Sequence, residues 1–479
     1  MIVLVSSKID SANIKASLGR PEYSYYFLLK EFLPALHRIA KVIQIGDTEE
    51  IDRLYEKYQS TDEFVVFLSF SPPHQTPVGL KCPTICVFAW EFNNIPEDAW
   101  DSDPRNDWRY VFEKIEGAIT LSEEAALAVK KSVENEFLVT AIPAPVYDQF
   151  ANFCPEKGWQ VNFETKAVTF TGELIDSHVL GLSADGLVQQ PSVKLPEFLT
   201  QDRKLKPSNT REKLKTTHAL LKAWWTHVAK PFLRPYIRSN NTSPVTAPIE
   251  TGPQINNLEL SGVIYTSVLN PGDNRKNWID LISGFCWEFK NVADATLILK
   301  MTHYDHTSYH ITLMTLLSRL APFKCRVVVI QGFLEESEYQ KLIAATAYYV
   351  NTSACEGLCL PLMEFLSAGK PAIAPKHTAM LDYITKQIAF IVESARQPTS
   401  WPHDPTGKWS AYLHRLNWQS LISAYRESYS LIKNQPEDYS AMSKQASEKM
   451  KQYCALDKVT PKLLAFICQV EEQLQSVSQ

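Results

Sequence analysis

Short apolar runs rich in β-branched residues alternate with helix-like segments along this chain, and the alternation happens twice. Ile2–Val5, Phe64–Leu68, Thr84–Phe88 and Ala118–Leu121 read as strands with helical patterns between them. After about residue 258 the pattern restarts with Val263–Val268, Ala295–Lys300, Arg326–Ile330, Tyr348–Asn351 and Ala372–Ala374. Asn277–Phe289, Ile311–Arg319 and Glu336–Ala345 supply the helices between them. Strands spaced by a helix's length are joined by crossovers, not hairpins, which demands parallel sheets covered by helices. Two α/β halves are expected. A first helix is expected from Glu22, with Pro21 at its first position and Pro34 kinking or ending it.

Composition agrees with a large globular chain. At ~150 residues per domain, 479 residues make about three domain equivalents. Apolar residues at 45% against 21% charged supply a sizeable core. A net charge of −5 argues against a nucleic-acid partner. Nine cysteines without CxxC pairs argue against a zinc site or disulfide framework, and point to reduced thiols and a cytoplasmic location. The opening MIVLVSSKID reads as a first strand and not a signal peptide. No apolar run approaches the ~20 residues that a membrane-spanning helix needs.

Residues 151–257 differ from both halves. They carry few βα signals, several prolines, and a linker-like SNNTSPVTAPIETGP. Within 201–240 lie ten Lys/Arg against two Asp/Glu, interleaved with Trp224, Trp225, Phe232 and Tyr236. One reading is a contact with an acidic membrane surface or polyanionic acceptor, which would put the protein on the inner face of the plasma membrane. The other is an amphipathic helix with its tryptophans packed inward and its lysines solvated.

The chemistry is concentrated in NTSACEGLCLPLMEFLSAGKPAIAP, residues 351–375, where Glu356 and Glu364 bracket a helix start. Pro361 suits the first helical position, and Gly369 with Pro371 ends the helix near Ala368. The free N–H groups of such a terminus favour an anion, and a carboxylate matches the paired hydroxyls of a sugar. Ordinary surface acids are the alternative. A short, largely apolar helix between two strands leaves little solvent face for them.

This stretch resembles the hallmark of glycosyltransferase family 4, retaining enzymes of the GT-B fold. Ser353, Glu356, Gly357, Leu360, Pro361, Glu364, Gly369 and Pro371 match its pattern in order and spacing, with Cys359 in place of the usual glycine. The resemblance implies an α/β molecule of two Rossmann-like domains facing across a cleft, with an inserted region of its own. Residues 1–150 would form the acceptor domain, completed by C-terminal helices at about 456–479. Residues 151–257 would be the insertion and 258–455 the nucleotide-sugar domain. It implies that Glu356 contacts the transferred sugar and Glu364 the ribose, with backbone N–H groups from Gly357, Leu358, Cys359 and Leu360. In IYTSVLNPGDNRKNWIDLI, Arg275 and Lys276 stand where the family neutralises the diphosphate, while Asn270 replaces an arginine found in many members. A basic turn facing water is the alternative there. Gly332-Phe333 resembles the turn against the base, and Gly19 the glycine loop after the first strand, its usual doublet reduced to Gly19-Arg20. Trp90-Glu91 falls where many members carry a histidine. Glu91 is expected to orient a donor or acceptor hydroxyl, or else to cap the next turn.

The implied activity is transfer of a hexose from a UDP-sugar, most simply UDP-glucose, to a saccharide or lipid-linked acceptor in polysaccharide synthesis. No cofactor or metal is expected. Asp101-Ser102-Asp103 reads as a turn, and His303, His306 and His310 lack companion ligands. The rivals are a nucleotide-sugar epimerase of the same fold and an inactive scaffold in a polysaccharide-assembly complex.

Overall fold

The computed structural model describes residues 1–477 apart from 10–13, 21–22, 62, 134–136, 156–157, 160–162, 164, 184–220, 222–254, 304–306, 402–403 and 405. The chain divides into two compact units, Met1–Ala184 with Ile255–Gln479, and Asp185–Gln254. The first unit holds every strand of the described residues. Of the basic, tryptophan-rich segment 201–240, all but Leu221 lies outside the described residues, as does the linker-like run before residue 254.

The first half runs β1 (Ile2–Ser7), α1 (Tyr23–Ile39), β2 (Lys41–Gln44), α2 (Glu49–Gln59), β3 (Val65–Phe70), β4 (Thr84–Phe88), α3 (Trp108–Phe112), β5 (Gly117–Thr120), α4 (Glu123–Ser132), β6 (Leu138–Ala141) and α5 (Tyr147–Phe150). Its six strands lie in the order β2-β1-β3-β4-β5-β6, every neighbouring pair parallel. The VVFLSF of β3 and TICVF of β4 are buried throughout, as parallel strands with both faces covered must be.

The second half follows β7 (Lys166–Thr171), β8 (Glu173–Asp176) and β9 (Ile255–Leu260) with β10 (Val263–Leu269), α6 (Trp278–Glu288), β11 (Ala295–Met301), α7 (Thr307–Leu320), β12 (Arg326–Gln331), α8 (Glu336–Ala345), β13 (Tyr348–Val350), α9 (Leu360–Ser367), β14 (Ala372–Pro375) and β15 (Ala389–Val392). A hairpin, β16 (Ser394–Ser400) and β17 (Ser410–Leu416), precedes α10 (Trp418–Asn434), α11 (Pro436–Cys454) and α12 (Leu456–Val477). The second sheet has the order β15-β14-β13-β10-β11-β12-β8, parallel except where β8 runs against β12. Residues placed by sequence in the inserted region therefore form β7 and β8, and β8 closes an edge of this sheet. The molecule thus has two Rossmann-like, mainly parallel sheets covered by helices.

The last helix returns to the first half. A Cβ on Gly117 of β5 would lie 3.1 Å from Phe466 and 3.4 Å from Val470, so the glycine lets α12 press onto the sheet. Leu463, Phe466, Ile467 and Val470 share one core with Val3, Phe32, Leu68 and Ile85.

Two boundaries differ from expectation. Pro34 does not end α1; the helix continues to Ile39. Pro34 is exposed, so water can satisfy the carbonyl that its missing N–H abandons. Helix α9 begins at Leu360, and Pro361 takes its second position, because Cys359 turns left-handed to cap it. Pro21 and Glu22 lie outside the described residues. Among the described residues no helix is long and apolar enough to cross a membrane.

Candidate active site

Each sheet has a point where successive crossovers reverse direction, β1/β3 in the first and β10/β13 in the second. In open α/β sheets the crevice beyond the strand ends at such a point is the ligand site. The loop after β10 carries Arg275 and Lys276, and the loop after β13 carries Glu356. The two loops are zipped together: Ala354 N–H donates to Arg275 O (2.7 Å), and Thr352 Oγ1 donates to the carbonyls of Lys276 (3.2 Å) and Asn277 (3.1 Å).

That zipper brings three charges to one point. Glu356, 3% exposed, accepts from Lys276 Nζ at 2.6 Å and Ser353 Oγ at 2.6 Å on Oε1, and from Arg275 Nη1 at 3.1 Å on Oε2. Burial opposes its ionisation. Lys276, Arg275 and the Ser353 hydroxyl outweigh it and hold the carboxyl well below the usual range. Arg275 also pairs through Nε with Asp273 (2.9 Å) and with Glu91 (3.2 Å), the latter on the loop after β4 of the first sheet. Burial opposes the guanidinium charge, but Glu91, Glu356 and Asp273 keep it protonated above its ordinary value. Glu356, Arg275, Lys276 and Glu91, named from sequence, thus form one cluster that spans both halves. Gly357 permits the contact, because a Cβ there would stand 2.8 Å from Trp90 N.

Glu364 lies one turn into α9 in a different setting. Tyr339 OH donates to its Oε2 at 2.5 Å. Burial pushes its pKa up to about 7, with Tyr339, Lys30 and Lys300 pulling the other way. Glu31 of α1 is buried beside it, and burial first, then Glu364, raise its carboxyl to about 8. Burial lowers Lys300 of β11 to about 7. Tyr339, Glu31 and Lys300 were not singled out from sequence. Only Lys300 left a signal, as a lone charge inside the apolar run of β11.

Strained backbone gathers at the first cluster. Asn277 (φ 48°), Cys359 (63°) and Thr378 (47°) all adopt the left-handed conformation that glycine favours. Such positions cost on the order of 1–3 kcal/mol each and collect at functional sites. At Cys359 this accounts for the glycine usual at that place. The cysteine is held by Asn351 Nδ2, 2.9 Å from Sγ, and burial raises its thiol to about 12.

The remaining candidates lie nearby or apart. Gly19 (φ 80°) accepts from Asn270 Nδ2 at 3.2 Å, and a Cβ there would stand 2.8 Å from His303 Cδ2. Leu358 O accepts from Tyr383 OH (2.9 Å), and Leu360 opens α9. Gly332 (φ 119°) faces Gly172 at the β7–β8 turn, a Cβ there falling 3.7 Å from Gly172 Cα. Lys15 Nζ stands 5.5 Å over the Phe333 ring. Asp101 and Ser102 form a left-handed turn, and Asp103 pairs with Arg105 at 2.7 Å. His306 is outside the described residues, among which no group of three or more His, Cys, Asp or Glu could hold a metal.

Comparison with protein-family models and with curated proteins gives no match. Among solved structures the chain is similar to Anabaena HepE in complex with UDP and glucose, at 11% identity and TM-score 0.48 over 98% of this chain and 100% of that one. A glycosyltransferase from Rickettsia africae gives 11% and 0.48 over 98% of each chain. Sucrose-phosphate synthase from Thermosynechococcus elongatus gives 10% and 0.47 over 99% of each. Every one of these scores is below 0.5, so the side chains of the site carry the functional assignment.

Proposed function

We propose that the protein is a retaining glycosyltransferase. It would move a hexose from a UDP-sugar, most simply UDP-glucose, to a saccharide or lipid-linked saccharide in polysaccharide synthesis. The observation that carries this reading is the convergence of Arg275, Lys276 and Glu356 at the β10/β13 switch point, with Glu364 one turn inside the helix that follows Glu356.

The geometry suits a nucleoside diphosphate sugar. Among the described residues Arg275 Nη2 makes no hydrogen bond, and Lys276 Nζ uses one donor on Glu356, so both cations keep N–H groups for diphosphate oxygens. Glu356 and Glu364 accept hydroxyls of the transferred sugar and of the ribose. In the reaction the bond from sugar C1 to the phosphate oxygen breaks and the acceptor oxygen bonds to C1 on the same face. The acceptor's proton passes to the departing phosphate. Arg275 and Lys276 stabilise the charge that develops there, and Glu91 orients a hydroxyl from the side of the first domain. The first half takes the acceptor and the second the donor.

A panel of UDP- and GDP-sugars read by thermal shift tests the reading, since a donor at 100 Kd stabilises by ~2.7 kcal/mol. Transfer or donor hydrolysis is expected to fail in Glu356→Ala and Lys276→Ala, and unchanged rates in both would remove the site assignment. Inversion at C2 of a UDP-sugar without any acceptor would favour an epimerase instead.

A further inference from the structure

Glu356 is fastened by its main chain as well as by its ion pairs. Its N–H donates to Thr378 Oγ1 at 3.0 Å, 22 residues along the chain, and its carbonyl accepts from Ala379 N at 3.2 Å. One dipeptide therefore holds both backbone groups of the residue at the centre of the cluster.

Thr378 is a costly choice for that place. It is 4% exposed with φ 47°, and a β-branched residue tolerates the left-handed region poorly where glycine would enter it freely. The hydroxyl is what glycine would lack. Behind it, His377 is 1% exposed and places Nδ1 3.2 Å from the same Oγ1. The His377 ring stacks on His414 with centroids 4.2 Å apart, and His414 N–H donates to Ala354 O at 2.8 Å. The support thus runs from the Glu356 loop through His414, His377 and Thr378 and back to Glu356.

We infer that Thr378 is a positioning residue: its hydroxyl fixes the main chain of Glu356 so that the carboxylate meets Lys276 and Arg275. The activity arm of this inference rests on the proposed donor role of Glu356. The decisive variants are Thr378→Gly, which removes strain and hydroxyl together, and Thr378→Ser, which keeps the hydroxyl. In the ligand-free full chain, hydrogen exchange at the Glu356 amide is expected to accelerate by about 10-fold or more in Thr378→Gly, with melting temperature unchanged or raised. With UDP-glucose, kcat for hydrolysis or transfer is expected to fall about 10-fold or more while KM stays within about 3-fold. Thr378→Ser is expected to stay within about 3-fold of the parent in all of these. Unchanged exchange at Glu356 in Thr378→Gly, or a parallel fall of melting temperature and turnover, overturns the inference. If the parent protein turns over no nucleotide sugar, the donor reading fails and exchange at Glu356 alone decides whether the clamp exists.

Discussion

Glu356 and Glu364 stand eight residues apart at one helix start, and each is less than a tenth exposed, yet their surroundings drive them in opposite directions. Two cations and a hydroxyl meet Glu356 and hold it ionised. Glu364 has one phenol in direct contact, and burial outweighs that hydrogen bond and the pull of Lys30 and Lys300, so its pKa rises to about 7. Burial penalises both alike, so the partners decide the difference. One glutamate is a fixed charge and the other a group that titrates near neutrality. In the proposed reaction this suits a permanent electrostatic anchor at the sugar and a tunable grip on the ribose.

The largest effect is expected from cancelling the fixed charge. Glu356→Gln leaves Lys276 without its carboxylate and Arg275 with Glu91 and Asp273. Breaking a buried pair in this way costs about 3–5 kcal/mol, read from urea unfolding. Turnover of UDP-glucose is expected to fall about 100-fold or more. An unfolding midpoint equal to the parent's would mean that the cations do not depend on Glu356.

A pH series separates the two glutamates further. The depressed folded pKa of Glu356 gives stability that is present above the ordinary value of 4.5 and lost as pH falls below it toward the folded value. Glu364 has the opposite sign. Its folded form binds a proton that the unfolded chain has released, so its contribution is full below 4.5 and is lost as pH rises through about 7. Glu31, raised to about 8, adds a slope of the same sign, while Lys300, lowered to about 7, adds stability as pH rises from about 7 toward 10.5. Glu364→Gln is therefore expected to match the parent at pH 5 and to exceed it at pH 8 by about 2–3 kcal/mol. If the two proteins stay parallel from pH 5 to pH 8, Glu364 is not the titrating group.

The sequence exposed these two residues unequally. The β-rich runs and helix periods placed β4 and α8 with the boundaries they have, because buried parallel strands are continuous apolar runs. Short edge strands such as β2 and β6, and the hairpin of β16 and β17, went unseen for lack of that apolar continuity. Glu356 was legible from the helix start that it precedes, and Arg275 and Lys276 only through the resemblance to a known family. Their mutual ion pairs were not, since contacts between residues 80 apart depend on the sheet order that puts β13 beside β10. Tyr339 and Glu31 sit inside regular helical patterns and looked like ordinary helix residues. Thr378 could not be found from sequence, because its hydrogen bond to the Glu356 N–H joins residues 22 apart and its left-handed backbone leaves no mark in the residue pattern.

The smallest change probes how Glu364 is kept available. Tyr339→Phe removes one hydroxyl and no other heavy atom, and it takes from the carboxylate its direct hydrogen bond, leaving Lys30 and Lys300 to attract it. A hydrogen bond to a charged group contributes about 1.5–3 kcal/mol, and one to the neutral acid about half of that. The variant is therefore expected to lose about 1–2 kcal/mol at pH 8 and less at pH 5, where Glu364 is protonated. Losing a partner of the charged form also raises the Glu364 pKa further, so the pH at which UDP binding is half-maximal should move upward, by calorimetry of the same two proteins. An unshifted pH profile with the stability loss in place would assign Tyr339 to packing alone and leave the titration of Glu364 to burial, Lys30 and Lys300.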